Sequence, residues 1–312
     1  MSDSQRILIT GANGYVGRLL LQQLSEQSAD VCGIDIRCDD AVADVTQMDI
    51  RDDKLVELLQ ERNITHVVHL ASIVQPGKDE AREYDIDVNG TQNVLDSCLA
   101  AGVRHLTVTS SGAAYGYHAD NPEWLTELHP LRGNDEFSYS RHKRLVEEML
   151  QQYRQSHPQL QQLVLRPGSV LGDTPPNMIT RLFTGKFHLG LRGFKSPFVF
   201  IWDRDLVNVL AQGVTNSTTG QFNVAGDGCL SIQEISNVTG MPVLNLPVWL
   251  IKAALYVARP LGLTPFGPQQ VRFMQYRPVL ANDRLKSEFG YTPQRTSREV
   301  LEYFVSLRAG QE

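Results

Sequence analysis

The stretch from Ile9 to Gly17, ITGANGYVG, constrains the fold of this chain more than any other. Its three glycines stand three apart, directly after the apolar run ILI and directly before RLLLQQL. Glycines at this spacing permit a tight turn from a strand into a helix and a close approach of backbone to a bound group. Free N–H groups at the start of such a helix attract phosphate. The stretch predicts a strand, a turn and a helix, with the turn either holding a dinucleotide pyrophosphate or serving only as a turn.

Strands and helices alternate through the first half of the chain. Apolar runs separated by amphipathic helices predict an α/β fold with a parallel sheet covered on both faces. Gly102 is expected to end one long helix as its C-terminal cap. The predicted strands cover 6–10, 29–37, 66–72, 104–111 and 160–170, and the predicted helices cover 17–27, 54–63, 84–102 and 138–155.

The sequence pattern changes after about Gly172, where prolines and glycines become frequent and the regular alternation of strands and helices is lost. We therefore expect a dinucleotide-binding domain over residues 1–172, with a segment near 200–226 returning to its sheet. A smaller substrate-binding region is expected over 173–199 and 227–312. The motif GQFNVAG predicts the late strand of the returning segment.

Composition restricts the partners. The net charge of −6 gives no reason to expect a nucleic acid or an anionic membrane as partner. Four scattered cysteines and no clustered histidines favour a reducing, cytoplasmic location and no metal site. No apolar segment resembling a signal peptide precedes the glycines.

The most hydrophobic stretch, Leu246 to Leu263, is interrupted by Lys252, Arg259 and Pro260. It is too short for a bilayer span of about 20 apolar residues, so no stable membrane insertion is expected. A helix packed on the core or covering a substrate cleft is favoured, with peripheral membrane contact as the lesser alternative.

An acidic residue follows the second predicted strand at the right distance for a ribose. Asp35 lies 18 residues beyond Gly17, about where a carboxylate meets the adenosine ribose hydroxyls of a dinucleotide. A carboxylate there repels a 2′-phosphate and favours NAD. Arg37 leaves NADP open as the second cofactor.

A second group of residues suggests proton transfer. Tyr139 and Lys143 share one face of a predicted helix, about 5–6 Å apart. A nearby ammonium and a nicotinamide charge would lower the phenol pKa and let it act as an acid or base. Ser111 follows a strand at the carboxyl edge of the sheet and is placed to bind a substrate oxygen. Each residue also has a plain structural explanation, as a surface Tyr–Lys pair or a serine capping a loop.

Taken together, these motifs make the chain resemble the extended short-chain dehydrogenase/reductases of the epimerase/dehydratase group over nearly its whole length. The resemblance is carried by TGANGYVG, GIDIR, MDIRD, VVHLAS, DVNGTQNVL, VTSSGAAYG, YSRHK, LRPGSVLG, FIWDRDLVNVL, GQFNVAG and GYTPQRTSREVL. It implies a Rossmann-type doubly wound parallel sheet with a smaller, mostly C-terminal substrate-binding region.

The resemblance also implies roles for individual residues. Tyr139 would transfer the proton, Lys143 would bind the nicotinamide ribose and lower the tyrosine pKa, and Ser111 would hold the reacting oxygen. The implied cofactor-binding residues are Gly11, Asn13, Gly14, Tyr15, Val16, Gly17, Asp35, Ile36, Arg37, Asp49, Ile50, Leu70, Ala71, Ser72, Asn89, Tyr139, Lys143, Pro167 and Gly168.

The substrate region departs from the sugar-nucleotide members of this group. Pro167, Gly168 and Ser169 stand where those members usually have a Tyr-Phe-Asn type sequence. Phe198 occupies the position of a diphosphate-binding arginine, and Trp202 that of a histidine. Four basic residues could replace these contacts but are best explained as a solvated surface: Arg181, Lys186, Arg192 and Lys195.

An aromatic cleft would suit a less polar substrate, such as a ketone or alcohol of hydroxysteroid or flavonol-reductase type. We expect it between Phe194, Phe198, Phe200, Trp202 and the apolar late helix.

The sequence is compatible with three functions. The favoured one is an oxidoreductase that moves a hydride between a carbinol carbon and NAD(P), with Ser111, Tyr139 and Lys143 as its catalytic set. The second is a nucleotide-sugar epimerase or dehydratase with tightly bound NAD, and the third a non-catalytic dinucleotide sensor, against which Tyr139 and Lys143 argue. A homodimer through the helices around Asn93 and Leu145 is expected by the same resemblance.

Overall fold

The computed structural model describes residues 5–37, 44–74, 77, 79–173, 180, 182–183, 185–264 and 267–309. The strands are β1 Arg6–Thr10, β2 Asp30–Asp35, β3 Val45–Gln47, β4 His66–His69, β5 His105–Thr109, β6 Gln161–Pro167, β7 Ser169–Leu171, β8 His188–Leu191, β9 Phe200–Trp202, β10 Gly220–Val224 and β11 Val243–Leu246. The α-helices are α1 Tyr15–Glu26, α2 Leu55–Glu61, α3 Glu80–Tyr84, α4 Gly90–Ala101, α5 Ser138–Ser156, α6 Asp203–Thr215, α7 Ile232–Thr239, α8 Val248–Ala258, α9 Arg272–Gln275, α10 Asp283–Ser287 and α11 Ser297–Ala309.

Seven parallel strands form the central sheet in the order β10-β6-β5-β4-β1-β2-β3. The order reverses at β1, which pairs with β2 on one side and β4 on the other, so the carboxyl ends of β1 and β4 flank a crevice. The predicted doubly wound parallel sheet is confirmed. The short edge strand β3 was not predicted, since three residues with two polar side chains give no apolar run.

The two faces of the sheet carry separate apolar cores. On one face α1 and α6 pack against β1 and β6, through side chains such as Leu20, Leu24 and Leu210. On the other face α2, α4 and α5 pack against β4 and β5, through side chains such as Leu55, Leu95 and Val146. Because both faces are covered, the strands read as continuous apolar runs, as the sequence had indicated.

Two predicted elements are divided in the structure. The helix expected over 84–102 consists of α3, a π-helical turn over Asp85–Asn89, and α4. Gly102 ends α4 in the left-handed conformation, with φ +73°, which confirms the predicted cap. The strand expected over 160–170 breaks at Gly168, which lies between β6 and β7.

The remainder of the chain builds two small parallel sheets, β7 with β9 and β8 with β11. An aromatic core joins them to α7 and α11 and contains Phe183, Phe198, Phe200 and Phe304. Within the described residues, no helix is long and apolar enough to cross a membrane.

Candidate active site

The glycine turn between β1 and α1 has no room for side chains. Gly11 has φ +70°, and a Cβ there would lie 2.8 Å from the Ala71 nitrogen. A Cβ on Gly17 would lie 2.2 Å from the Gly11 oxygen. The Gly14 amide donates to that same oxygen at 2.9 Å and closes the turn. Gly14 caps α1 without a side chain, so the positive end of the helix dipole faces the crevice.

Asp35 is fixed at the end of β2. One carboxylate oxygen accepts from the Asn13 amide at 3.0 Å, and the other accepts from the Arg37 amide at 3.0 Å. The side chain is buried at this edge of the sheet, whereas Ile36 and Arg37 are exposed. The turn and Asp35 together fit NAD, because the turn closes this tightly only with glycines and the carboxylate retains acceptor sites for ribose hydroxyls.

A polar, open cavity of about 520 Å³ lies farther along the same edge, lined partly by Asp49 and Asn89. Arg51 pairs with Asp49 at 2.6 Å and with Asp85 at 2.5 Å. This guanidinium lowers the pKa of the Asp49 carboxyl. Ile50 is buried beneath, where a Cβ on Gly90 would lie 2.6 Å from its Cδ1 atom. The residues predicted for the adenine thus gather at one place.

A second cavity of about 470 Å³ opens where β5 and β6 end. It brings together residues predicted from distant parts of the sequence, including the three predicted for catalysis. The predicted residues that line it are Tyr15, Val16, Leu70, Ser72, Ser111, Tyr139, Lys143, Pro167, Gly168 and Phe198.

Tyr139 and Lys143 occupy the first turns of α5 and face this cavity. The Lys143 ammonium lies 5.7 Å from the Tyr139 ring centroid and donates to the Thr109 carbonyl at 3.2 Å. Burial raises the pKa of the Tyr139 phenol to about 12, and a hydrogen bond with Ser111 offsets part of that rise. Burial lowers the pKa of Lys143. The polypeptide alone therefore does not give the low phenol pKa expected from the sequence, because desolvation of the phenolate outweighs the hydrogen bond.

The Asp87 carboxylate supports the site through several hydrogen bonds. The sequence motif had indicated Asn89, two residues later, and not Asp87. Its carboxylate accepts from Ser72 Oγ at 3.0 Å, from the Ile73 amide at 2.8 Å and from His142 Nδ1 at 3.2 Å. Burial would raise the pKa of Asp87, but these hydrogen bonds and the Lys143 charge lower it overall. Asn89 instead donates to the exposed Asp85, at 2.9 Å.

A buried ion pair, also missed, ties α5 to β6. The Arg166 guanidinium binds Glu147 with contacts of 2.6 to 3.0 Å, and Ser110 donates to the same carboxylate at 2.6 Å. Arg166 also donates to the Tyr115 hydroxyl at 2.8 Å. Glu147 follows Lys143 by one helical turn, so the pair fixes the helix that carries the candidate catalytic residues. The spacing of Glu147 from Lys143 was the available sequence signal.

The substrate side of the cavity differs from the predicted aromatic cleft. Phe198 lines it, whereas Phe200 is buried in the neighbouring core and Phe194 packs against Tyr276. Trp202 does not line this cavity, because its ring packs on Tyr303, with centroids 5.8 Å apart.

The aromatic wall is completed by side chains that the sequence did not single out. Tyr117 and Phe137 line the cavity, and Phe273 packs behind them with centroids 4.8 and 4.0 Å away. Arg277 lies 3.8 Å over the Phe198 ring. Burial lowers the pKa of Arg277 to about 10. Among the described residues, no carboxylate pairs with it and its buried Nε has no hydrogen-bond partner.

The basic residues considered as substitutes lie elsewhere. Lys186, Arg192 and Lys195 are exposed and do not line the cavity, as expected for a solvated surface. Arg181 lies outside the described residues.

Comparison with known proteins supplies the class. The model of the NAD dependent epimerase/dehydratase family matches residues 7–209, about two thirds of the chain. The chain belongs to this family of NAD-dependent enzymes, which confirms the resemblance drawn from the motifs.

Three distant relatives match over nearly the whole of both chains. Sterol demethylase protein B of Methylococcus capsulatus is 26% identical over 93% of this chain and 94% of the relative. A short-chain dehydrogenase/reductase superfamily protein from Agrobacterium tumefaciens, solved with NAD, has a TM-score of 0.76 at 21% identity and 98% coverage of both chains. UDP-glucose 4-epimerase of Thermotoga maritima, solved with UDP-glucose, has a TM-score of 0.77 at 17% identity, covering 99% of this chain and all of that one. At these identities the solved structures show the fold.

Proposed function

We propose that this protein is an NAD-dependent oxidoreductase that interconverts a secondary alcohol and a ketone. The observation that carries the proposal is the convergence of Ser111, Tyr139 and Lys143 on one largely apolar cavity, with the Lys143 ammonium 5.7 Å from the Tyr139 ring centroid. A hydroxyl and a phenol converging on one space, with a cation behind them, suit a proton transfer at a substrate oxygen.

The cofactor would lie along the carboxyl edge of the sheet. Gly11, Gly14 and Gly17 would hold its pyrophosphate, Asp35 the adenosine ribose, and Asp49 with Ile50 the adenine. Leu70, Pro167 and Gly168 line the cavity where its nicotinamide end would enter. When bound, NAD supplies or accepts the hydride.

Each side chain of the set has a distinct part in this chemistry. Tyr139 gives a proton to the carbonyl oxygen in reduction and takes it back in oxidation. Ser111 donates to that oxygen and holds it against the phenol. Lys143, anchored on the Thr109 carbonyl, places a positive charge near the phenolate and positions a ribose hydroxyl. Since the phenol pKa is raised to about 12, mainly by burial, a second nearby cation, the oxidised nicotinamide, would be needed to lower it.

The cavity wall favours a substrate with an apolar body. Tyr117, Phe137, Phe198 and Leu280 contribute rings and aliphatic carbons around the catalytic set. The whole-length match to a protein named sterol demethylase protein B agrees with a bulky alicyclic alcohol or ketone. Hydroxysteroids and related polycyclic alcohols are therefore the first substrates to try.

The test is Tyr139→Phe, which keeps the ring and removes the proton. We expect turnover to fall by about 10²–10⁴-fold with unchanged NAD affinity. Tyr117→Phe, another phenol in the same cavity, is the matched control and should retain most of the activity. Turnover by Tyr139→Phe equal to that of the parent, with NAD still bound, would show that the assignment is wrong.

A second candidate, a nucleotide-sugar epimerase or dehydratase, is favoured by one observation. The Arg277 guanidinium lies in the cavity without a carboxylate partner among the described residues, and would pair with a diphosphate. This candidate predicts NAD that remains bound through purification and no net change of cofactor redox state during turnover. Arg277→Met would then raise the KM for a nucleotide sugar about tenfold or more, since a hydrogen bond to a charged group contributes about 1.5–3 kcal/mol. The KM for an uncharged alcohol would change little.

A further inference from the structure

Helix α8 is apolar on two opposite sides. Val248, Ile251 and Leu255 face inward and join an apolar cluster with Leu191 and Val271. The outward side is as hydrophobic as the inward one, although a surface helix normally turns charged and polar residues to solvent. Its outward side chains and those of the following turn are Trp249 (69% exposed), Tyr256 (75%), Val257 (59%), Leu261 (67%) and Leu263 (76%). We refer to these five residues as the apolar ledge.

The ledge lies in a stretch of unusual charge. Between Glu234 and Asp283 the chain has four basic residues and no acidic one. Of these four, Arg272 pairs with Glu136 and Arg277 lies in the wall of the cavity. Lys252 lies on the outward side of α8, between Trp249 and Tyr256, and the exposed Arg259 follows the helix. The ledge therefore combines exposed apolar side chains with two basic residues and lies in a stretch without a carboxylate.

We propose that the apolar ledge docks the protein on the surface of an anionic phospholipid bilayer. Indole and phenol rings are suited to the headgroup boundary, and leucine and valine to the acyl carbons just beneath it. Lys252 and Arg259 would lie at the level of the phosphates, where each basic residue adds attraction to an anionic surface. The helix would lie in the plane of the interface and need not span it, as fits its length.

Charge also argues against a second copy of this chain as the occupant. A two-fold contact places the same patch on both subunits. It would bring Lys252 and Arg259 of one copy near the same residues of the other, and the stretch offers no carboxylate to pair with them. An anionic bilayer satisfies both the apolar and the basic character of the ledge.

The ledge is connected to the candidate active site by a short path. The cluster under α8 includes Met274, and its neighbour Phe273 packs on Phe137 and Tyr117 of the cavity wall. Helix α9, which carries both residues, therefore lies between the docked surface and the cavity.

Vesicle flotation of the full-length protein tests the proposal, using phosphatidylcholine vesicles with and without phosphatidylglycerol. We expect the parent to float with the anionic vesicles and to be released by high salt. Trp249→Ser with Val257→Ser should lower the partition coefficient about tenfold or more for each side chain removed from lipid. Leu128→Ser, at a side chain 88% exposed but remote in sequence, is the matched control and should leave partition unchanged.

The charges are tested separately. Lys252→Glu with Arg259→Glu should lower the partition coefficient for anionic vesicles about fivefold or more per charge. The control is Lys54→Glu, at an exposed lysine outside α8, which should have no effect. Unchanged melting temperatures would show that the variants fold. The proposal fails if the parent does not float with anionic vesicles, or if the ledge variants float as well as the parent. It also fails if those variants turn a dimer into a monomer in sedimentation without changing flotation. The assay uses no catalysis, so its outcome is independent of the proposed reaction.

Discussion

The nucleotide half of the molecule and the substrate half present different groups to their ligands. The first presents backbone and the second presents side chains. In the nucleotide half, an added Cβ at Gly11 or Gly17 meets backbone atoms at 2.2 to 2.8 Å. In the substrate half, the cavity wall is formed by side chains such as those of Phe198 and Leu280. A surface that must receive one fixed cofactor is defined by backbone, whereas a surface that meets a variable substrate is defined by side chains that other residues can replace.

Buried ion pairs also distinguish the two halves, because those among the described residues all lie in the nucleotide half. The nucleotide half buries Glu147 with Arg166, which have side chains only 3% and 6% exposed. The ion pairs of the later chain, such as Arg284 with Glu288, remain in contact with solvent. Buried charges that lose a partner cost far more than exposed ones. Variants matched between the two halves therefore test this contrast.

The largest effect is expected at the buried pair. Arg166→Met leaves Glu147 buried without its cation and should lower the free energy of unfolding by about 3–5 kcal/mol. Glu288→Gln, which breaks an exposed pair one helical turn apart, should cost less than about 1 kcal/mol. Urea unfolding of both variants provides the measurement. Equal losses would contradict the distinction drawn between the two halves.

A smaller effect, confined to cofactor affinity, is expected at the glycine turn. A methyl group on Gly17 overlaps the Gly11 oxygen, so Gly17→Ala must displace the turn at a cost of about 1–3 kcal/mol. NAD affinity measured by calorimetry should fall correspondingly, by about 10- to 100-fold. Gly185→Ala is the control in the later chain, where the nearest atom to the added Cβ is 3.6 Å away. If both alanines weaken NAD binding equally, the turn is not the pyrophosphate cradle.

The choice between NAD and NADP should respond to one carboxylate. Asp35→Asn keeps an acceptor for the Asn13 amide but removes the negative charge next to the ribose. We expect NAD affinity to fall by about 1.5 kcal/mol, roughly tenfold. The ratio of NAD affinity to NADP affinity should become smaller. Glu57→Gln, at a carboxylate in α2, is the control. A parent protein that binds NADP as tightly as NAD would overturn the role given to Asp35.

The same contrast explains what the sequence could predict. The sheet and the residues around Gly11, Asp35, Ser111 and Tyr139 were predictable because each strand ends at one edge, so short motifs suffice to place them. Asp87 was not predicted, because the groups that bind its carboxylate come from two separate segments, around Ser72 and at His142, and no local sequence pattern joins them. The edge strand β3 carries no periodic signal.

The substrate wall was predicted less well for a physical reason. Aromatic character along 194–202 indicated a single cleft, but Phe198 precedes β9 and lines the cavity, whereas Trp202 ends that strand and packs on Tyr303. Arg277 comes from a segment about 80 residues later, and its neighbourhood depends on how α9 packs. Contacts of that range have no local sequence pattern.

The smallest effect is expected where Ser111 and Tyr139 face the same cavity. A hydrogen bond from the Ser111 hydroxyl favours the phenolate and lowers the phenol pKa, so Ser111→Ala should raise that pKa further. Oxidation of an alcohol needs the phenolate as base, and its rate rises with pH until the phenol is titrated. In the variant, that rise should move to higher pH. The rate of oxidation at neutral pH should fall roughly fivefold, which corresponds to about 1 kcal/mol.

Reduction needs the neutral phenol as acid, so the sign of its pH dependence is opposite. The fall of the reduction rate at high pH should also move upward in Ser111→Ala, and reduction should therefore persist to a higher pH than in the parent. Ser111→Thr retains the hydroxyl and should restore the parent profile in both directions. A serine that only orients the substrate would change kcat or KM and leave both profiles at their original pH. The profiles therefore separate tuning of Tyr139 from simple positioning.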